Sequence, residues 1–157
     1  MSERFEFISA TDKPALLAFS TPEWLEAART ALQELGYKIH TAATHSDFLI
    51  RFSQVRYQVV IIEERFAANT LEENLTLRAL QSMPMSQRRH AAIILLGDSF
   101  QTFTPMQAFQ QSVHAVINSS ELFLLKQLIE KSAADTALFL SSYQEVQERV
   151  YASASRE

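Results

Sequence analysis

Cysteine is absent from the 157 residues, which excludes disulfides, thiolate catalysis and cysteine-bound metals. Glycine occurs twice, as Gly36 and Gly97. That shortage removes the flexible loops by which most nucleotide folds bring backbone amides to a phosphate. A basic block is missing too: the formal net charge is -4, and positive charge gathers only at Arg88-Arg89-His90. Nucleic acid, whose binding is dominated by phosphate neutralisation, is therefore not expected as a partner. No apolar run approaches the length of a membrane span, and Met1-Ser2-Glu3-Arg4 lacks the apolar core of a signal peptide. The expectation is a cytoplasmic protein or fragment with no membrane contact in this segment. The remainder, 47% apolar and 20% charged, is ordinary globular usage and enough for one domain with a core.

The chain is organised around Tyr57-Gln58-Val59-Val60-Ile61-Ile62-Glu63-Glu64, where four β-branched apolar residues run into two acids. Such a run reads as a parallel strand buried on both faces, with its carboxylates at the end where α/β sheets place their sites. Four more strands are expected at Pro14 to Phe19, Tyr37 to Ala42, Ala91 to Leu96 and Val113 to Ile117. Between them, Thr21-Pro22-Glu23 opens a helix that Gly36 ends, and Thr44 with Asp47 forms a capping box before Phe48, Leu49 and Phe52. Thr70 with Glu73 repeats that signature before Leu71, Leu75, Leu77 and Leu80, with a stop near Pro84. Met85 to His90 reads as a loop. Thr104-Pro105-Met106-Gln107 opens a short helix to about Gln111, and Asn118 to Glu121 caps the last one. Five strands alternating with five helices predict a parallel sheet covered on both faces.

The last helix continues beyond what a small sheet can cover. Leu122, Leu125, Ile129, Ser132, Thr136, Phe139, Tyr143, Val146 and Val150 fall at alternating three- and four-residue spacing, a heptad-like seam that needs a partner. A second copy, a flanking domain, or the chain's own body after a break near Ser132 to Asp135 would each supply one. Phe5 and Phe7 alternate weakly within residues 1–13, which read as a tail or an added edge strand.

In order and spacing, residues 14–131 resemble the receiver domain of two-component response regulators. The likeness is carried by Leu35-Gly36-Tyr37-Lys38-Ile39, by the Val59 to Glu63 strand, by Leu95-Leu96-Gly97, and by Ala115 to Ile117 before the last helix. It implies a flavodoxin-like α/β fold with a five-stranded parallel sheet of order 2-1-3-4-5, and here residues 132–157 form a helical extension. It also implies two acids after the first strand to hold magnesium, an aspartate closing the third to accept phosphate, a hydroxyl closing the fourth, and a lysine closing the fifth. This chain has Phe19 and Ser20, Glu63, Gly97, and Ser119 (or Asn118, one register on) at those positions. The reading that follows is a degenerate receiver that is not an enzyme, carries no cofactor or metal, and works through a protein partner or a homodimer in bacterial signalling.

Two rivals use the same rim. One is a small-ligand or enzymatic cleft at Glu63, Glu64, Asp98 and Asn118, which burial of Phe19 and Phe66 would plug. The other is an atypical receiver still responsive at Glu63. For Glu63 itself, a built-in mimic of a phosphorylated acceptor stands against a solvated acid paired with Arg65. Phe100, Phe103, Met106 and Phe109 bracket the fourth helix, and the spacing leaves Phe100 or Phe103 partly exposed. With Phe139, Tyr143, Val146 and Val150, these are the candidate contact residues. His40, His45, His90 and His114 have no metal-ligand spacing and are expected in surface or structural roles.

Overall fold

A computed structural model describes residues 8, 9 and 11–154. Five strands form one parallel sheet: β1 Pro14–Ala18, β2 Lys38–Ala42, β3 Val59–Glu63, β4 Ala92–Gly97 and β5 Ala115–Asn118. Their order is β2-β1-β3-β4-β5, with Leu16 opposite both His40 and Val60, and Glu63 opposite Leu96. β1, β3 and β4 are buried at every position, which explains why their sequences run apolar without alternation.

The period of two divides the sheet's side chains between two cores. Leu16, Ala18, Val60, Ile62, Ile93, Leu95 and Val116 face one, which is closed by Phe48 and Phe52 of α2 (His45–Gln54), Leu77 and Leu80 of α3 (Leu75–Ser82), and Ala108 of α5 (Pro105–Gln111). Ala15, Leu17, Val59, Ile61, Ile94, Leu96 and Ile117 face the other, under Ala28 and Leu32 of α1 (Pro22–Glu34) and Leu125 and Ile129 of α6 (Leu125–Ala154). The sequence expectation of the fold and strand order agrees with this arrangement.

Helix ends account for most boundaries. Gly36 has φ +83, and around it Gly36 N–H donates to Gln33 O while Tyr37 N–H donates to Leu32 O. This is the left-handed cap expected there, and because it engages Tyr37, β2 begins only at Lys38. Ser112 (φ 57) does the same after α5, with Val113 N–H donating to Ala108 O, so β5 starts at Ala115 rather than Val113. Thr44 accepts from Asp47 N–H as the capping box requires, and Asp47 reaches back to Ala43 N–H. Thr21 and Thr104 hold cap positions, but their hydroxyls form no cap hydrogen bond.

Four sequence expectations need correction. Thr70 and Glu73 form their capping hydrogen bonds, to Glu73 N–H and from Asn69 N–H, yet no helix follows directly. The helix starts at Leu75 behind Asn74, because Asn74 is wholly buried and spends its side-chain amide on strand β3. Met85–Arg88 is one turn of helix, α4, started by Pro84 rather than a loop. A 3-10 turn, Ser119–Leu124, precedes α6, giving six α-helices among the described residues instead of five. Finally, α6 is continuous through Ser132 to Asp135, so no fold-back occurs there and the 131/132 boundary falls inside one helix. The edge strand considered around Phe5 and Phe7 lies outside the described residues.

Candidate functional site

The carboxyl rim of the sheet collects Phe19 and Ser20 after β1, Glu63 and Glu64 at the tip of β3, Gly97 and Asp98 at the tip of β4, and Asn118 and Ser119 after β5. Glu63 is not a solvated acid: it is 3% exposed, and its Oε2 accepts from Ser20 N–H at 2.7 Å. Ser20 Oγ in turn accepts from Ala67 N–H at 2.8 Å. Arg65 turns away from Glu63 and pairs with Asp98 at 3.2 Å, with its Nε 3.9 Å from Glu64. Asp98 also accepts from Ser119 Oγ, so the tips of β3, β4 and β5 are tied in sequence by Arg65, Asp98 and Ser119. Asn118 donates to Phe100 O at 2.6 Å and accepts from Ser120 N–H at 2.8 Å, which consumes its side chain.

Sequence reasoning missed the role of Glu64. It is 4% exposed and lies across Gly97: a Cβ built on Gly97 would sit 2.5 Å from Glu64 Cβ and 2.9 Å from its Oε2. Gly97 is therefore glycine for close approach, not for a left-handed backbone. The signal available was the scarcity itself, since a chain with two glycines puts each where nothing else fits. Asn74 was missed as well. Its amide donates to Glu63 O and Glu64 O, both at 3.1 Å, and its Oδ1 caps Leu77 N–H, which fastens the β3 tip to the start of α3. His45 completes the brace, contacting Thr76 N–H through Nδ1 and Ala67 O through Nε2.

Glu63 Oε1 and Glu64 Oε1 are buried without a hydrogen-bond partner. Even so, the grouping of Glu63, Glu64 and Asp98 does not converge on one point: among the described residues, no three His, Asp or Glu side chains could hold a metal together. Phe19 and Phe66 are both buried, one in each core, and fill the space between the strand tips and the helices.

Of the proposed contact residues, Phe100 is 6% exposed and packs in the core with Phe48 and Phe66, which removes it as a contact. Phe103 (φ 55) is half-buried against the α1 and α6 core. Met106 and Phe109 are the exposed members, Phe109 at 80%. Phe139, Val146 and Val150 are exposed on α6, and Tyr143 is half-buried with Arg89 over its ring at 4.5 Å.

Neither a protein-family model nor a curated protein sequence matches the chain. Solved structures do. The chemotaxis response regulator CheY4 of Vibrio cholerae aligns with TM-score 0.54 at 18% identity, covering 82% of this chain and 98% of that one. A CheY-like protein (TadZ) from Pseudomonas aeruginosa aligns with TM-score 0.56 at 16% identity over 77% of this chain and 99% of that one. This chain has the receiver fold.

The receiver's magnesium does not fit the residues present. Phe19 is committed to the core, Ser20 offers a hydroxyl already accepting from Ala67, and Glu63 has one oxygen unoccupied. Glu64 keeps one oxygen free as well, but among the described residues no third acid joins the two, so the acid cluster that the resemblance implies for magnesium is not assembled. At the position of the receiver's lysine, Ser119 is held by Asp98 and carries no charge to neutralise a phosphoryl group.

Proposed function

We propose that this chain is a receiver-fold signalling module that does not transfer phosphate, is not an enzyme, and acts by protein contact in the cytoplasm. The observation that carries the reading is the hydrogen bond from Ser20 N–H to Glu63, which joins the acceptor position to the position of a metal ligand. The surrounding groups point the same way: Glu64 covers the position of the switch hydroxyl, and the Arg65-Asp98-Ser119 tie closes the strand tips. Burial of Phe19 and Phe66 argues against the ligand-cleft alternative. Among the described residues no helix is long and apolar enough to cross a membrane. The exposed apolar residues, Met106 and Phe109 on α5 and Phe139, Val146 and Val150 on α6, are the contact surface in this reading.

Incubation with acetyl phosphate and magnesium followed by intact-mass measurement tests the reading. The expected outcome is an unchanged mass. A phosphoryl adduct lost on Glu63→Gln would show instead an atypical receiver that still responds at Glu63.

A further inference from the structure

α6 has 30 residues, about 45 Å of helix, and one face of it serves two purposes. Leu125, Ile129, Ser132 and Thr136 are buried against the chain's own body, and the same seam continues through Phe139, Tyr143, Val146 and Val150. Phe139 is 64% and Val150 61% exposed. Where the helix leaves the body, a groove of about 870 Å³ opens beside it, lined by Met85, Phe109, Thr136 and Phe139 with Arg88 and Arg89 on its wall.

We propose that a second copy of this chain covers both features, the two α6 helices pairing antiparallel so that each seam's far end fills the other copy's groove. This deepens the interaction-module reading by naming its partner. Direction follows from packing. The seam faces the body, so in a parallel pair the partner's helix at the level of Leu125 to Thr136 would occupy the volume of this copy's own sheet. Antiparallel pairing avoids that collision. Heptad positions then place Phe139 against the partner's Val150 and Tyr143 against the partner's Val146, each twice by symmetry. Level with Thr136 the partner's helix has reached its Ser153, leaving Val150 and Tyr151 of the partner over the groove. The apolar area is sufficient as well, since Phe109, Phe139 and Tyr151 are all largely exposed and each aromatic buries about 150–250 Å² when covered. Scaled by those exposures, the three aromatics of both copies together lose on the order of 700–1,100 Å², which with Val146 and Val150 reaches the roughly 1,000 Å² of a specific interface.

Because the chain has no cysteine, introduced thiols report the geometry without background. Sedimentation of the full chain should give twice 17.8 kDa. A mixture of Phe139→Cys and Val150→Cys proteins should cross-link under mild oxidation, whereas Val150→Cys alone should not, its two sites lying about 16 Å apart along the helix axis. Val146→Asp and Val150→Asp should each weaken association about tenfold or more. Their circular dichroism and melting as monomers should be unchanged, because both side chains are exposed. A monomer at every concentration overturns the proposal, and so does efficient Val150→Cys self-cross-linking, the mark of a parallel pair. A monomer whose rim still ignores acetyl phosphate leaves the interaction-module reading intact with a different partner. A rim that takes phosphate overturns that reading whatever the oligomeric state.

Discussion

Gly97→Ala is a small change with an outcome whose sign depends on the contact with Glu64. The backbone at Gly97 lies outside the left-handed region, so an alanine there meets no conformational penalty. Without other effects, replacing glycine at such a site stabilises by about 0.4–1 kcal/mol, through the unfolded chain. Against this stands the new Cβ, 2.5 Å from Glu64 Cβ. That atom is not the free end of a flexible side chain, so relief requires the tips of β3 and β4 to part, against the hydrogen bond from Glu64 N–H to Leu96 O at 2.8 Å. Overpacking of this kind costs about 1–3 kcal/mol. Overpacking outweighs the gain, and Gly97→Ala is expected to destabilise by about 1–2 kcal/mol, lowering Tm by about 2–8 °C for a domain of this size. The assay is urea unfolding of the parent, Gly97→Ala, Glu64→Gly and the double variant. In the Glu64→Gly background the obstructing Cβ is gone and the penalty should vanish, giving a coupling energy of about 1–3 kcal/mol. A Gly97→Ala protein as stable as its parent, or equally destabilised in both backgrounds, would show that the contact with Glu64 does not set the sign.

Three further outcomes follow. Asn74→Ala removes a buried helix cap and the amide donor to Glu64 O, while Glu63 O keeps Phe66 N–H, so a loss of about 2 kcal/mol in urea unfolding is expected. His90 and His114 titrate below the ordinary histidine value, mainly because burial disfavours the charged ring, with Arg56 and Arg88 adding repulsion. The unfolded chain therefore binds more protons between the folded and unfolded values, so stability should be full above about pH 6.5 and fall as pH drops through that window. His90 has both ring nitrogens buried and unpartnered beside Phe52, so His90→Phe should flatten part of that slope and stabilise by about 1 kcal/mol. Tyr57, buried and hydrogen-bonded to His40 at 2.7 Å, has its phenol pushed up to about 12 by burial, and burial raises Tyr37 as well, so ultraviolet titration should show these two ionising after the other tyrosines. The folded state then holds those protons longer than the unfolded chain, and stability should fall as pH rises from about 10.

The sheet was legible because its strands are buried on both faces and so carry no polar interruption: Val59 to Ile62 and Ala92 to Leu96 admit few other readings. The Gly36 and Thr44 caps were legible for a local reason, since their hydrogen bonds are made within a few residues of sequence. Boundaries failed where a local signature competed with a distant contact. Thr70 and Glu73 completed their capping bonds, but Asn74 was held by the carbonyls of β3 and set the helix start itself. Phe100 sits in a loop without period, so nothing in its neighbours marked it as buried. At the rim, the departures of Phe19, Ser20, Gly97 and Ser119 from the pattern that the receiver resemblance implies were readable one position at a time. What fills the gap was not: a glutamate after a strand is usually solvated, and the burial of Glu64 depends on a missing side chain thirty-three positions later. The seam of α6 was visible as a pattern, but its division into a covered and an exposed half depends on where the sheet ends.

In the proposed reading, the rim is closed by its own side chains and grips neither magnesium nor a phosphoryl group. Amide correlation spectra of the uniformly labelled chain, recorded while beryllium fluoride and magnesium are added, measure this at every strand tip at once. No saturable shift is expected at Ser20, Glu63, Glu64, Gly97 or Ser119. Saturable shifts clustered at those amides and absent without magnesium would mean that the rim is open to both.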